Sequence, residues 1–384
     1  MAADARTRQT FHDMIVRPTA DEAARQEYTY ALRYHLLAET WPGTRKIWDT
    51  KYAGGFRKAH GCDPQKRQEV AKIMQRDPYW QIGSSLRRIN QEIMWETYGE
   101  KIEKHLDDLI AKARKYRDSN RKLGSLMLDP ALEIPRYHTA VDIHIQPGGY
   151  HTDLTEDDVF AGALYDDVIW MFFLHAAGGL NDSAGRSIIM WLKQQHPDFK
   201  PKRILDMGCT VGHSTLPYVD AWPGAEVHAI DVGAPVLRYA HARAEALGKK
   251  VHYSQQNAEA TSFPDGHFDL VVSHLMFHET SSKAMPAIFK EANRVLAPGG
   301  IMVHQDIPPG SFIGDAVDQF STDWSTHYNA EPFIAKLMDT DHARLAADAG
   351  FPRRSIREVD IDGLREAHAH RAIGSKQHVT YARK

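Results

Sequence analysis

The segment Asp206-Met207-Gly208-Cys209-Thr210-Val211-Gly212 places an acid at the end of an apolar run and ahead of a turn of small residues. Gly208 and Gly212 have no Cβ, so the backbone there can approach a ligand closely, and the capped helix start His213-Ser214-Thr215 offers free N–H groups. Nineteen residues past Gly212 a second apolar run ends in Asp231. From that position a carboxylate reaches the vicinal hydroxyls of a ribose in nucleotide-binding folds. Turn and acid together point to a nucleoside-bearing ligand. The Gly-x-Gly-x-x-Gly of dinucleotide oxidoreductases is absent.

A second set of candidates follows the apolar run 268–273. The segment His274-Leu275-Met276-Phe277-His278-Glu279 leaves its carboxyl end, where ligands sit in open α/β sheets. His278 is the leading candidate base, because an imidazole near its free pKa accepts a phenol, hydroxyl or amine proton at neutral pH. Glu279 is its orienter or the alternative base. Residues 306–340 are too long for a plain connection and carry Phe312, Phe320, Trp324, His327, Tyr328 and Phe333, whose faces could shield an acceptor and attract a cation. Of these, Trp324, His327 and Tyr328 are the second choices, His327 and Tyr328 as catalytic candidates. In the first half, His144-Ile145-Gln146-Pro147-Gly148-Gly149-Tyr150-His151 displays Tyr150 and His151 on a Gly turn. Its histidines and Asp153 match no metal-ligand spacing, so no metal is expected. Tyr165, Asp166 and Asp167 stand just before an apolar stretch and could line a cavity.

Such groups need a sheet to hold them. From residue 203 onward short apolar strands alternate with helices, which is the sequence form of a parallel sheet covered on both faces. The expected strands are 203–206, 226–231, 251–254, 268–273 and 301–305, with 355–359 and 378–382 completing the sheet. A helix over 235–247 ends at Gly248. Before residue 197 the pattern is helical, over 21–37, 64–76, 84–98 and 101–116. It lapses at 141–145 into a strand-like alternation, and an acidic cap at 155–158 then opens a helix toward 164, followed by an apolar helix over 168–177. The reading is a mainly α-helical N-terminal domain over 1–196 joined to an α/β domain over 197–384, a Rossmann-like, doubly wound, mostly parallel seven-stranded sheet.

Residues 197–384 also resemble a class I S-adenosylmethionine-dependent methyltransferase. The resemblance rests on the Asp206 to Gly212 turn, Asp231, Asn257-Ala258-Glu259 with Phe263-Pro264, Phe268-Asp269-Leu270-Val271-Val272-Ser273 and Arg294-Val295-Leu296-Ala297-Pro298-Gly299-Gly300. It implies that Asp206, Gly208, Cys209, Thr210 and Gly212 hold the methionine moiety and that Asp231 binds the ribose. Val232 would line the adenine, Asn257 and the backbone of Ala258 would meet its edge, and Ser273 joins the cofactor-binding set. Two residues depart from the family pattern. Thr210 stands where a glycine is usual, and Asn257 replaces a frequent Asp, so an amide oxygen would accept from the adenine amino group. S-adenosylmethionine is the expected cofactor and S-adenosylhomocysteine the product.

The totals bound the rest. A net charge of −3 over 384 residues gives no electrostatic case for a nucleic-acid partner, and the basic stretch 101–122 reads as a solvated helix face. The two cysteines, Cys62 and Cys209, form neither a disulfide framework nor a zinc motif, which suits a reducing cytoplasm. Residues 1–14 lack the apolar core of a secretory leader, and the apolar stretch 168–180 is too short to span a bilayer. The expectation is a cytoplasmic enzyme, monomer or homodimer, that methylates a small, fairly hydrophobic acceptor at oxygen (or nitrogen), with carbon ranked second. A C-methyltransferase of the quinone type, an RNA methyltransferase and a non-catalytic binder of the same cofactor stay open.

Overall fold

The computed structural model describes residues 9–364 and 376–384. Among them eight strands form one sheet: β1 (Ser125–Met127), β2 (Arg203–Met207), β3 (Glu226–Asp231), β4 (His252–Gln255), β5 (Phe268–His274), β6 (Leu296–Asp306), β7 (Arg357–Asp362) and β8 (Lys376–Arg383). Their order is β1-β4-β3-β2-β5-β6-β8-β7. The pairs from β1 to β6 are parallel, while β8 runs antiparallel to both β6 and β7. The two late candidates therefore form the C-terminal hairpin. The strand beyond the expected seven is β1, which comes from the first half of the chain and pairs with β4. Three residues are too few to show a period, so the sequence gives no sign of it.

The chain passes from β2 outward to β3 and β4, then returns to lay β5 against the other edge of β2. That reversal opens a crevice at the carboxyl ends of β2 and β5, the usual ligand position in such sheets. Helices cover both faces. Ala234–Ala246 packs between the sheet and the helices Leu106–Arg117 and Phe160–Phe172 of the first half. The close approach to Phe160–Phe172 depends on Gly162, where a Cβ would lie 2.4 Å from the Cβ of Tyr239. A buried ion network ties the same halves together: Asp166 accepts from Arg243 Nε at 3.0 Å and Tyr239 Oη at 2.9 Å, and lies 2.5 Å from His213 Nε2 and 3.1 Å from His12 Nε2.

The long helix of the first half, Pro78–Lys104, is started by Asp77, whose side chain accepts from the Tyr79 N–H, with Pro78 in the first turn. The insertion after β6 forms Ala316–Thr322, Trp324–Tyr328 and Ile334–Met338. It packs Phe320 and Trp324 against Trp48 and Trp80 of the first half, and Arg67 clamps it through Asp323 and Asp339. Among the described residues no helix is long and apolar enough to cross a membrane.

Three local expectations fail. The helix expected over 101–116 is broken at His105, between Pro78–Lys104 and Leu106–Arg117. Residues 141–145 are not a strand: Ile143–Ile145 is a single 3-10 turn, with the N–H groups of Ile145 and Gln146 bonding back to Asp142 and Ile143. Alternation marks a strand only where a neighbour takes the backbone bonds, and here the chain satisfies itself locally. The apolar helix expected over 168–177 is the end of Phe160–Phe172, and Leu174 and His175 beyond it adopt positive φ and leave the helix.

Candidate active site

The turn after β2 is shaped by three left-handed residues, Gly208, Thr210 and Gly212. Gly208 has φ +74, and a Cβ there would sit 2.8 Å from Met276 Cγ and Sδ. Thr210 has φ 48, a conformation costing a β-branched residue on the order of 1–3 kcal/mol. Its N–H donates to Asp231 Oδ2 at 3.0 Å, while Gly233 N–H donates to Oδ1 at 2.9 Å. The acid at the end of β3 therefore fixes the strained turn and remains at the cleft wall.

Two cavities flank this turn. One, of about 200 Å³, touches Asp206, Gly208, Cys209, Thr210 and His213. The other, of about 70 Å³, touches Asp231, Val232, Asn257, Ala258 and Met276. Asp206 Oδ2 accepts from Thr215 Oγ1 at 2.5 Å, while its buried Oδ1 has no partner. Burial pushes this carboxyl up to about 7. An orphaned carboxyl oxygen at one cavity, an acid and apolar walls at the other, and a glycine that a Cβ would close are what a nucleoside with a cationic amino-acid tail requires. The residues present fit such a cofactor.

A third cavity, of about 360 Å³, shares the wall residues Tyr150, Tyr165, Leu275 and Glu279 with the second. Leu275, at φ 55, turns the chain between them. Aromatic faces of Trp95, Phe172 and Trp324 line this cavity. Two guanidinium groups also face it. Arg87 is held between the rings of Trp41 and Trp324, 4.2 and 3.9 Å from their centroids, and has no hydrogen-bonded carboxylate among the described residues. Arg33 donates to Phe172 O and Gln91 Oε1. Burial lowers Arg87 to about 10, and burial with the neighbouring charge lowers Arg33 to about 9. Both stay cationic at neutral pH.

Around Glu279 of the shared wall six side chains form a cluster: His144, Tyr150, His278, Glu279, Asp306 and Glu331. His278 Nδ1 lies 2.7 Å from Asp306 Oδ1, and its Nε2 lies 3.8 Å from Glu279 Oε1 and 3.7 Å from Glu331 Oε1. His144 contributes Nε2 at 3.0 Å from Glu279 Oε1 and Nδ1 at 3.5 Å from Glu331 Oε1. Glu279 Oε1 also accepts from Tyr150 Oη at 3.1 Å. Burial opposes the charge on His278, but Asp306, Glu279 and Glu331 outweigh it and raise the ring to about 10. With nothing else bound it is an imidazolium at neutral pH, not the ring near its free pKa that the sequence suggests. Burial likewise raises Glu279, but the hydrogen bond and charge of His144 and the charge of His278 more than reverse it, so it stays ionised.

Several sequence candidates lie elsewhere. Ser273 is fully buried with Oγ 2.7 Å from His304 Nδ1, and it lines none of the three cavities. Strand alternation turns it into the sheet's packing layer. Gly212, at φ +80, shapes the turn against Tyr253 rather than facing a cavity. Asn257 Oδ1 accepts from the Glu259 N–H at 2.9 Å, so the oxygen expected to meet adenine also closes its own turn. His327 is 55% exposed beside Asp323, and Tyr328 stacks on Trp324, so neither lines the third cavity. Phe320 is core, Phe312 lies against His378 and Phe333 against Tyr137. His151 is near His138, and Asp153 accepts from Arg238. Asp166 and Asp167 serve ion pairs with Arg243 and Lys101.

Asp306, Asn329, Glu331, Arg33 and Arg87 were not singled out from the sequence. Glu331 and Asn329 sit in an irregular turn and the arginines on helices, where nothing in the local pattern separates an inward charged residue from an outward one.

Residues 204–300 match the family described as "Methyltransferase domain". The chain is similar to the demethylmenaquinone methyltransferase of Thermus thermophilus, 40% identical over 111 residues, covering 28% of this chain and 49% of that protein. It is similar to the malonyl-[acyl-carrier protein] O-methyltransferase of Geobacter sulfurreducens, 33% identical over 166 residues, covering 42% and 60%. The chain thus spans about half the length of the curated relatives it matches. A SAM dependent methyltransferase of Aquifex aeolicus is 21% identical, with 47% of this chain and 81% of that one covered, at a TM-score of 0.31.

Proposed function

Because residues 204–300 form a class I S-adenosylmethionine-dependent methyltransferase segment, we propose that the chain methylates an oxygen of a small, partly apolar acceptor bearing an acidic group. The observation that carries this is the wall shared by the cofactor-side cleft and the 360 Å³ cavity, with Glu279 on both sides of it.

When bound, the cofactor supplies an activated methyl group on a sulfonium. The chain's own residues then have to align, shield and deprotonate. Gly208 and Thr210 with Asp206 would hold the amino-acid end, and Asp231, Val232 and Ala258 the nucleoside. Tyr165 and Leu275, common to all three cavities, would set the acceptor in line. Such alignment is worth roughly 7–11 kcal/mol in favourable cases. Trp324 and Phe172 would exclude water. The acceptor's proton would go to Glu279, an ionised carboxylate whose Oε1 is occupied by His144 and Tyr150 and whose Oε2 carries no hydrogen bond among the described residues. His278 in this reading orders the cluster.

The acidic group follows from Arg33 and Arg87, since cations facing a cavity without carboxylate partners favour an anion there. Relatives named for C-methylation substrates and for O-methylation both occur, so the atom is part of the proposal. The test incubates the full chain with S-adenosylmethionine and hydroxylated aromatic acids, their decarboxylated counterparts and quinols, following S-adenosylhomocysteine and the methylated product by mass spectrometry and NMR. O-methylated acids are the expected product. Exclusively C-methylated products, or turnover indifferent to the acidic group, would overturn the assignment.

A further inference from the structure

Three side chains far apart in the sequence aim ligand-type atoms at one point on the acceptor cavity wall. His144 Nδ1 is 3.5 Å and His278 Nε2 3.7 Å from the same oxygen, Glu331 Oε1, and all three atoms lie within 4.8 Å of one another. Around a tetrahedral ion with bonds of about 2.0–2.2 Å, ligand atoms stand about 3.3–3.6 Å apart. Two of the three separations are thus close to the required spacing, and the third, between the two imidazole nitrogens, is no more than 4.8 Å.

Its supporting partners have the pattern of a metal centre as well. His144 Nε2–H faces Glu279 Oε1 at 3.0 Å, His278 Nδ1–H faces Asp306 Oδ1 at 2.7 Å, and Glu331 Oε2 accepts from Asn329 Nδ2 at 2.6 Å. A carboxylate on the far nitrogen of each imidazole fixes its orientation, so that His144 presents Nδ1 and His278 presents Nε2, whose proton an incoming cation displaces. His144 points its ring this way from a left-handed backbone, φ 56, a conformation that is costly outside glycine. Asn329 Nδ2 also lies 3.2 Å from His144 Nδ1, a contact that an ion would replace while Asn329 keeps Glu331.

We propose that His144 Nδ1, His278 Nε2 and Glu331 Oε1 bind a first-row divalent cation of the zinc type, supported by Glu279, Asp306 and Asn329. Its fourth position opens on the acceptor cavity and takes the acceptor's oxygen. Two imidazoles and one carboxylate suit zinc and its neighbours rather than calcium or magnesium, which favour all-oxygen sites. Three protein ligands with one open position is the form of a reactive rather than a structural centre. The ion's role toward the acceptor rests on the methyl-transfer reading above, whereas the site itself does not.

A second trio, His342, Glu358 and His378, serves as an internal comparison. There Glu358 Oε1 stands 3.7 Å from His342 Nδ1 and from His378 Nε2, away from the three cavities.

The test strips the full chain with a chelator and titrates it with Zn²⁺ by calorimetry, with S-adenosylhomocysteine binding measured on the same preparations. One equivalent of zinc is expected. Glu331→Gln and His144→Gln should each weaken it by at least about 100-fold, and Asp306→Asn by roughly 10–100-fold, with S-adenosylhomocysteine binding retained. Should Glu331→Gln fail to fold, His144→Gln with intact S-adenosylhomocysteine binding decides. No zinc binding by the parent overturns the proposal. So does binding that survives both variants and disappears in Glu358→Gln. Zinc binding without S-adenosylhomocysteine binding sinks the methyl-donor reading and leaves the metal site standing, and the converse result sinks only the metal site.

Discussion

His278 Nδ1 and Asp306 Oδ1 lie 2.7 Å apart, both buried, one in the loop after β5 and the other at the end of β6. β5 and β6 are paired in parallel, with His274 opposite Gln305, so the sheet register brings the loop and the strand end together. The bond leaves Nε2 of His278 facing Glu279 and Glu331. What looks in sequence like a free base is thus the fixed centre of a charged cluster, and several outcomes follow from that change.

Replacing Glu279 by Gln removes the proposed proton acceptor but keeps the shape of the shared wall. Turnover should fall by roughly 10²-fold or more, with S-adenosylhomocysteine affinity changed less than about threefold. Comparing initial rates with equilibrium binding checks this. Equal losses in both would assign Glu279 to cofactor binding instead.

Arg87→Met keeps a long apolar side chain between Trp41 and Trp324 while deleting the charge. For an acidic acceptor the Michaelis constant should rise by about tenfold or more, the scale of one charge-assisted hydrogen bond. The constant for a neutral analogue should stay put. Steady-state kinetics with the matched pair of acceptors decides.

Asp231→Ala deletes the nucleoside-side carboxylate and strands the N–H groups of Thr210 and Gly233. Cofactor affinity should drop about 10–100-fold, as expected for a hydrogen bond to a charged group of about 1.5–3 kcal/mol. Calorimetric titration with S-adenosylhomocysteine is the measurement.

Asp206 gives a pH dependence of definite sign. Burial raises its carboxyl from about 3.9 in an unfolded chain to about 7 in the folded one. Between those values the folded state holds the proton and the unfolded state does not. This group therefore favours folding at the acid end and loses that contribution as pH rises toward 7, at no more than about 1.4 kcal/mol per pH unit. Asp206→Asn lacks the titration, so the stability of the variant relative to the parent should increase from pH 4 to 7 in denaturant melts without cofactor. A pH-independent difference would remove Asp206 as the source.

Asp166→Ala tests the join between the halves. It leaves Arg243, buried and bonded to Asp166 at 3.0 Å, without its carboxylate. Breaking a buried pair in this way costs roughly 3–5 kcal/mol, which urea unfolding followed by fluorescence and circular dichroism would register.

The strands β2 to β6 and the glycine turn after β2 were legible because both are local. A run of apolar residues ending in Asp206, a glycine turn and a second run ending in Asp231 specify a strand, its turn and the next strand from neighbours in sequence. Pro78–Lys104 was legible only in its middle, 84–98; its start at Asp77 and the break at His105, inside the helix expected over 101–116, were not read. Where reading failed, the deciding partner lay far away. Alternation at 141–145 looked like a strand, but no ladder takes its backbone bonds. Ser273 looked like a cleft residue, but the pleat turns it onto His304. Of the aromatic residues in 306–340, Trp324 lines the third cavity, whereas Phe320 packs on Trp80 and Phe312 on His378.

By itself, then, the sequence determined the alternating strand and helix order, the glycine turn after β2 and the likeness of residues 204–300 to a methyltransferase domain. Short-range periodicity and backbone chemistry are enough for those. Only the tertiary structure decided the cluster on the third cavity, where His144, His278 and Glu331 come from a 3-10 turn, a post-strand loop and an insertion separated by more than a hundred residues of chain between the first two. Charges at such separations acquire a meaning only when folding buries them together, because the cost of removing each from water is met by the others.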